Sequence, residues 1–327
     1  MKKRAYTAEE YAEGIASGNR VLLSRAITLI ESTRPEHQEL AHQVLERCMP
    51  LAKSLVRIGI TGVPGVGKST FIEAFGSQII EQGHRVAVLA IDPSSRLNRG
   101  SILGDKTRME QLSLDENAYI RPSAAGDSLG GVARKTREAM ILCEAAGFDV
   151  VLIETVGVGQ SETTVRDLTD FFLLLLLPNA GDELQGMKRG IVEMCDWLAI
   201  NKRDINATAA KIARAQYNNA LHLFPKKGSN WTASCSLCSA TNGEGILDIW
   251  ETIKQYIELT KTNDFFDKNR KSQTLYWLHE SIQQELGNAF RRNERVIAQL
   301  PDIETAVLTG KKSVSQATKE LMQLIIF

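Results

Sequence analysis

The hydrophobic rhythm of the chain changes near residue 55. Before that point apolar positions recur at helical spacing, as in SGNRVLLSRAITLIES (17–32). Pro35 is expected to close this helix before a second begins near His37. Beyond residue 55, short apolar runs alternate with amphipathic stretches. The runs LVRIGIT, RVAVLAID, AYIRP, DVVLIET, FFLLLLL, WLAINK and WTASCSLCSA predict strands, the last over 231–240. Helices are expected between them at Ser69–Gln82, Gly131–Ala146, Ala207–Leu221 and Gly245–Leu259. Strands that are apolar throughout and separated by helices predict a parallel sheet covered on both faces. After about Thr260 the pattern is helical to the end, with SQTLYWLHESIQQELGNAFRRNERV the longest run.

The run FFLLLLL (171–177) is far shorter than the roughly 20 apolar residues that span a bilayer, so it reads as a central strand stopped by Pro178. The polar tail NAGDELQGMKRG (179–190) then falls where loops after neighbouring strands gather. Composition narrows the classes further. Lys+Arg and Asp+Glu total 39 each in 327 residues, so the net charge is zero. A nucleic-acid binder working through bulk charge needs a basic surplus, so neither nucleic acid nor membrane is an expected partner. The start MKKRAYTAEEYAEGIASGNR turns polar and acidic too early for an export signal. A cytoplasmic protein with five reduced cysteines is therefore expected. Cys235 and Cys238 form a CxxC, but no second pair accompanies it, and a metal or redox role is not assigned. Lys53 and Arg57 border a strand and are read as solvated.

Chemistry enters with GVPGVGKST. It fits G-x-x-x-x-G-K-[ST] between a strand and a helix, assigning Gly62, Val63, Pro64, Gly65, Val66, Gly67, Lys68, Ser69 and Thr70 to a phosphate loop. Glycines let backbone N–H groups turn toward phosphate oxygens at the positive end of the helix. Lys68 neutralises the β- and γ-phosphates, and the Ser69 hydroxyl is suited to Mg²⁺. AINKRD supplies N-K-x-D at Asn201, Lys202 and Asp204. The Asp204 carboxylate accepts from the guanine N1–H and 2-amino group together, a pair adenine does not present. Asn201 suits the Hoogsteen edge and the Lys202 stem a ring face. CSATNGEG places Ser239-Ala240 as a second guanine loop, so GTP is expected rather than ATP. DVVLIETVGVGQSE ends a strand in Glu154 with Gly157 beyond it, suiting Mg²⁺ and γ-phosphate sensing. AIDPSSRLNRGSILGDKTRM adds Asp92 and Asp105 as metal or water-positioning groups, with Lys106 and Arg108 nearby. Gln160 falls three residues after Gly157, not beside it, so intrinsic hydrolysis is expected to be slow.

These blocks, with RPSAAGDSLGGVARKTREAMILCEAAGFDVVLIETVGVGQSE and LPNAGDELQGMKRGI, resemble the MeaB/ArgK family. These are G proteins that guard and load adenosylcobalamin-dependent methylmalonyl-CoA mutase. The resemblance implies an α/β P-loop NTPase fold of three layers with a mostly parallel sheet. It implies an N-terminal helical extension (1–50), a GTPase domain (51–262) and a C-terminal helical dimerisation arm (263–327). It implies a homodimer that binds GTP or GDP with Mg²⁺ on Ser69, Asp92, Asp105 and Glu154. Lys68, Asp92, Asp105, Glu154 and Lys188 are its expected catalytic set. The tail 179–190 becomes a third mobile segment, with Gln185 and Lys188 its test residues. RLNRG (96–100) departs from the T-G-G ending usual there, and the chain after about Leu300 matches poorly.

Two other readings use the same fold. A metal-delivery GTPase calls for a His-rich tail, whereas the five histidines are dispersed. A P-loop kinase, as in an older lysine/arginine/ornithine transport label, has no use for N-K-R-D. No D-x-H-x-x-G corrin signature is present, so tight cobalamin binding by this chain alone is not expected.

Overall fold

The computed structural model describes residues 6–91, 109–121, 129–155, 161–178, 189–225 and 228–325. Three helices come first: α1 (Ala8–Ala16), α2 (Arg20–Glu31) and α3 (Pro35–Cys48). Thr7 and Glu10 form a capping box on α1, and the Asn19 side chain accepts from the Val21 and Leu22 N–H groups at the start of α2. Pro35 does not simply end α2: it opens α3 at its first position, where its fixed φ and missing N–H cost nothing.

The sheet and its covering helices then alternate. In order they are β1 (Val56–Gly62), α4 (Lys68–Glu81), β2 (Val86–Ile91), α5 (Glu110–Leu114), β3 (Ala118–Arg121), α6 (Leu129–Ala145), β4 (Val150–Thr155) and α7 (Ser161–Arg166). There follow β5 (Phe171–Leu176), α8 (Arg189–Met194), β6 (Trp197–Ile200), α9 (Ala207–Leu221), β7 (Cys235–Leu237) and α10 (Ile246–Thr262). The helices α11 (Phe265–Arg292), α12 (Glu294–Leu308) and α13 (Val314–Gln323) complete the chain.

All seven strands are parallel, in the order β3-β2-β4-β1-β5-β6-β7. Every residue of β4 and β5 is buried, which is why their sequences show no alternation. One core layer packs Phe71, Phe75 and Ile79 of α4 and Trp250 and Tyr256 of α10 on this sheet. The last strand is much shorter than its apolar sequence suggests, three residues instead of ten. Cys235 opens this strand and Cys238 follows its end. Both are free and buried, and burial pushes each thiol up to about 12.

The start of the sheet holds the largest departure from the sequence reading. Arg57 is not solvated: its guanidinium forks onto Glu144 of α6 at 2.6 and 3.0 Å. Burial opposes its charge, but the bonds and charge of Glu144 outweigh that and raise its pKa. The Arg57 N–H donates to Asp170 (2.8 Å), whose carboxylate takes a fork from Arg270 of α11 at 2.8 and 2.6 Å. Asp170 is 1% exposed, and Tyr256 donates its hydroxyl to the Asp170 carbonyl at 2.9 Å. Four elements therefore meet on one carboxylate-arginine chain at the entry to β1 and β5.

The N-terminal helices are fixed to the same body through polar contacts. Glu31 pairs with Arg121 of β3, and Lys135 of α6 donates to the Glu31 carbonyl at 2.9 Å. The chain divides into two compact units, Met1–Gln273 and Thr274–Phe327. In the second unit Leu275, Leu278, Ile282 and Leu286 of α11 are exposed at helical spacing. Among the described residues no helix is long and apolar enough to cross a membrane.

Candidate functional site

The parallel arrangement brings the carboxyl ends of β1, β4, β2, β5 and β6 to one edge, and among the described residues the loops after β1 and β6 meet there. β1 leads into residues 62–70, the loop that the sequence motif assigns to phosphate. Gly65 and Gly67 hold φ of +80° and +91°, where a side chain is strained. Gly67 caps α4 without a side-chain bond, so the first-turn N–H groups of that helix stay open to an anion. A Cβ on Gly67 would also stand 3.0 Å from Asn201 Nδ2. We expect Gly67→Ala to weaken GDP binding about tenfold, from a left-handed cost of about 1–2 kcal/mol. Titration with fluorescent GDP checks this, and an unchanged Kd would remove the glycine requirement.

Lys68, first residue of α4, donates to the Gly62 carbonyl at 2.8 Å and to Val63 at 3.4 Å. Burial lowers its pKa, while the charges of Glu154 and Glu162 act to raise it. Ser69 lies half-buried in the first turn of α4. Glu154, 6% exposed, pairs in register with Ile60 of β1 and Ala90 of β2. Next to it Thr155 donates its hydroxyl to Thr61 at 2.9 Å, fixing β4 to β1 just before the phosphate loop. β2 ends at Ile91, opposite Thr155, and leads into Asp92. Asp92, Asp105, Lys106, Arg108, Gly157, Gln160, Gln185 and Lys188 lie outside the described residues.

β6 delivers the N-K-x-D turn, and its first two side chains are tied into the other loops. Asn201 is 1% exposed; its Nδ2 donates to the Val66 carbonyl at 2.9 Å, and its Oδ1 accepts from the Ala240 N–H at 2.9 Å. One amide therefore joins the phosphate loop to the Ser239-Ala240 loop, leaving a single Nδ2 hydrogen for a base. Lys202, with φ of +59°, reaches back so that Nζ donates to the Gly65 carbonyl at 2.7 Å. Arg203 N–H donates to Cys238 O at 3.1 Å, which holds the turn against the strand after it. Asp204 stands exposed at the tip of that turn. Ser239 is fully buried, with a hydroxyl that meets no hydrogen-bond partner among the described residues.

The arrangement thus joins the glycine loop 62–70 to an exposed carboxylate turn in a single body. The family profile described as "Methylmalonyl Co-A mutase-associated GTPase MeaB" matches residues 23–295. The chain belongs to the MeaB family. It is a GTPase of that family, and family membership carries nucleotide binding with it. A "Putative GTPase" of Caulobacter vibrioides is 52% identical over 308 residues, 94% of each chain. "GTPase ArgK" of Escherichia coli is 44% identical over 289 residues, 88% of this chain and 87% of that one. The solved structure titled "Crystal structure of LAO/AO transport system kinase" superposes with a TM-score of 0.77 at 36% identity, covering 100% of both chains. The fold expected from the MeaB resemblance is the fold observed, with a wholly parallel sheet.

Sequence reasoning missed Glu162. It lies in the first turn of α7, 2% exposed, and its charge acts on Lys68. A glutamate is almost never fully buried without a charged neighbour, but its sequence position alone gave no sign of burial.

Proposed function

We propose that this MeaB-family chain binds and hydrolyses GTP as a chaperone that assembles, protects or reactivates an adenosylcobalamin-dependent acyl-CoA mutase of the methylmalonyl-CoA type. The observation that carries the reading is the double tie of Asn201 and Lys202 to the phosphate loop. It makes the guanine turn and the phosphate cradle one site in a chain matched by the mutase-associated family. Lys68 meets the β- and γ-phosphates, the open N–H groups of α4 hold their oxygens, and Asp204 reads the base. The Ser69 hydroxyl and Glu154 carboxylate are hard oxygen donors of the kind Mg²⁺ takes, and Asp92 and Asp105 complete the proposed set. Bound there, Mg²⁺ would neutralise charge on the phosphate oxygens. The nucleotide state biases two conformations of the chain that differ in affinity for the mutase, which gates cofactor loading by linkage.

A homodimer is part of the same proposal. The exposed apolar row Leu275, Leu278, Ile282 and Leu286 supports it, because a helix face of that spacing is suited to a partner helix.

The test is GTP turnover with and without a methylmalonyl-CoA mutase. Stimulation and complex formation are expected; unchanged turnover with no complex would end the chaperone reading and leave the GTPase standing. Lys188→Ala is expected to reduce mutase-stimulated hydrolysis several-fold more than basal hydrolysis. Equal loss in both would place Lys188 in the basal chemistry instead.

A further inference from the structure

One side-chain bond joins the seat of Lys68 to the strand end that bears Glu154. In the ladder between β1 and β4 the last registered pair is Ile60 with Glu154. One residue further the strands take different partners, Thr61 lying opposite Leu174 of β5 and Thr155 opposite Ile91 of β2. At that point the Thr155 hydroxyl donates to the Thr61 hydroxyl at 2.9 Å. Next along β1, the Gly62 carbonyl accepts from Lys68 Nζ at 2.8 Å. A short chain of contacts therefore runs from the residue beside Glu154 to the lysine of the glycine loop.

Both threonines are buried, Thr61 2% and Thr155 0% exposed. Valine has nearly the same shape, suits a strand equally and brings no hydroxyl to satisfy. A buried hydroxyl is costly unless paired, and a satisfied pair fixes one geometry where apolar contact does not. This pair sits where β1 and β4 end, at the edge that carries the candidate site. The N–H groups proposed to hold GDP belong to the glycine loop and α4 alone. The proposed γ-phosphate and Mg²⁺ step needs Lys68 from one strand end and Glu154 from the other at once.

We propose that Thr61 and Thr155 are positioning residues, whose hydroxyl pair sets the spacing between Lys68 and Glu154 for GTP hydrolysis and not for the holding of GDP. The inference rests on reading residues 62–70 as the phosphate loop and Glu154 as a Mg²⁺ group. If that reading failed, the wild-type chain would bind no GDP or would turn over GTP without Mg²⁺, results that involve neither threonine.

The experiment measures single-turnover GTP hydrolysis with Mg²⁺, the Kd of fluorescent GDP and the urea midpoint, all in the full chain. Thr155→Val is expected to slow hydrolysis about tenfold while leaving the GDP Kd unchanged, since a misplacement of about 1 Å costs up to about 100-fold. Thr155→Ser keeps the hydroxyl and should keep the turnover. The double variant Thr61→Val/Thr155→Val replaces both partners by an apolar pair of the same shape. It should regain the stability that the single variant loses, yet remain as slow as Thr155→Val. It also carries the test should the single variant fold poorly. A merely structural pair predicts turnover that recovers with stability, and that recovery would overturn the proposal. Unchanged turnover in Thr155→Val overturns it too, as does an equal loss in Thr155→Ser. Weakened GDP binding in step with turnover would place the pair in the phosphate cradle instead.

Discussion

Asp170→Ala is expected to destabilise the Met1–Gln273 unit by about 3–5 kcal/mol, the usual cost of removing one partner of a buried pair. The carboxylate is 1% exposed and accepts from the Arg270 fork and the Arg57 N–H. Its loss removes the carboxylate from the Arg270 guanidinium, to which Ser54 Oγ offers only one acceptor at 3.2 Å, and leaves the Arg57 N–H without its side-chain acceptor. Asp170→Asn should cost less, because the amide oxygen still accepts from Arg57 N–H. Pairing Asp170→Ala with Arg270→Met should recover part of the loss, since no cation is then left facing an apolar wall. Urea unfolding followed by tryptophan fluorescence reads this, because Trp231 packs on Tyr256, whose hydroxyl bonds the Asp170 carbonyl. A shift of about 1 kcal/mol or less for Asp170→Ala would show that solvent already satisfies the site.

That carboxylate-arginine chain also marks where the sequence stops being informative. Apolar runs without alternation announced β4 and β5 as doubly covered strands, and the parallel sheet followed from helices between them. The turn proposed as the phosphate loop was equally legible as a turn between strand and helix, because its glycines answer a local backbone demand that Gly65 and Gly67 meet at positive φ. Arg57 was not legible. Its partners Glu144 and Asp170 lie 87 and 113 positions away, and no local pattern distinguishes a buried arginine from a solvated one. Glu162 was hidden for the same reason. The ten-residue apolar segment WTASCSLCSA was overread: ladder pairing to β6 covers only Cys235–Leu237, and Trp231 instead donates its ring N–H to the Asp196 carbonyl. Asn201 was recognised as a motif residue, but its bonds to Val66 and Ala240 show only once three loops meet.

Asp204→Asn is expected to reduce GTP affinity on the order of 100-fold while improving XTP binding, a change of nucleotide preference without loss of fold. The carboxylate is exposed at the tip of a turn held elsewhere, by Asn201, Lys202 and Arg203, so its replacement leaves the frame intact. Two charge-assisted bonds from guanine, each worth about 1.5–3 kcal/mol, set the size of the loss. Asparagine presents one acceptor and one donor where aspartate presents two acceptors. Xanthine offers the complementary pair, an N1–H and a 2-oxo group, so the variant gains what the parent repels. Competition of GDP and XDP against a fluorescent nucleotide measures the switch directly. Should Asp204→Asn keep its preference for GDP, the base would be read by another group and the guanine turn assigned to residues 201–204 would fall. The phosphate loop would survive that result, because its demands on Gly65, Gly67 and Lys68 do not depend on which base is bound.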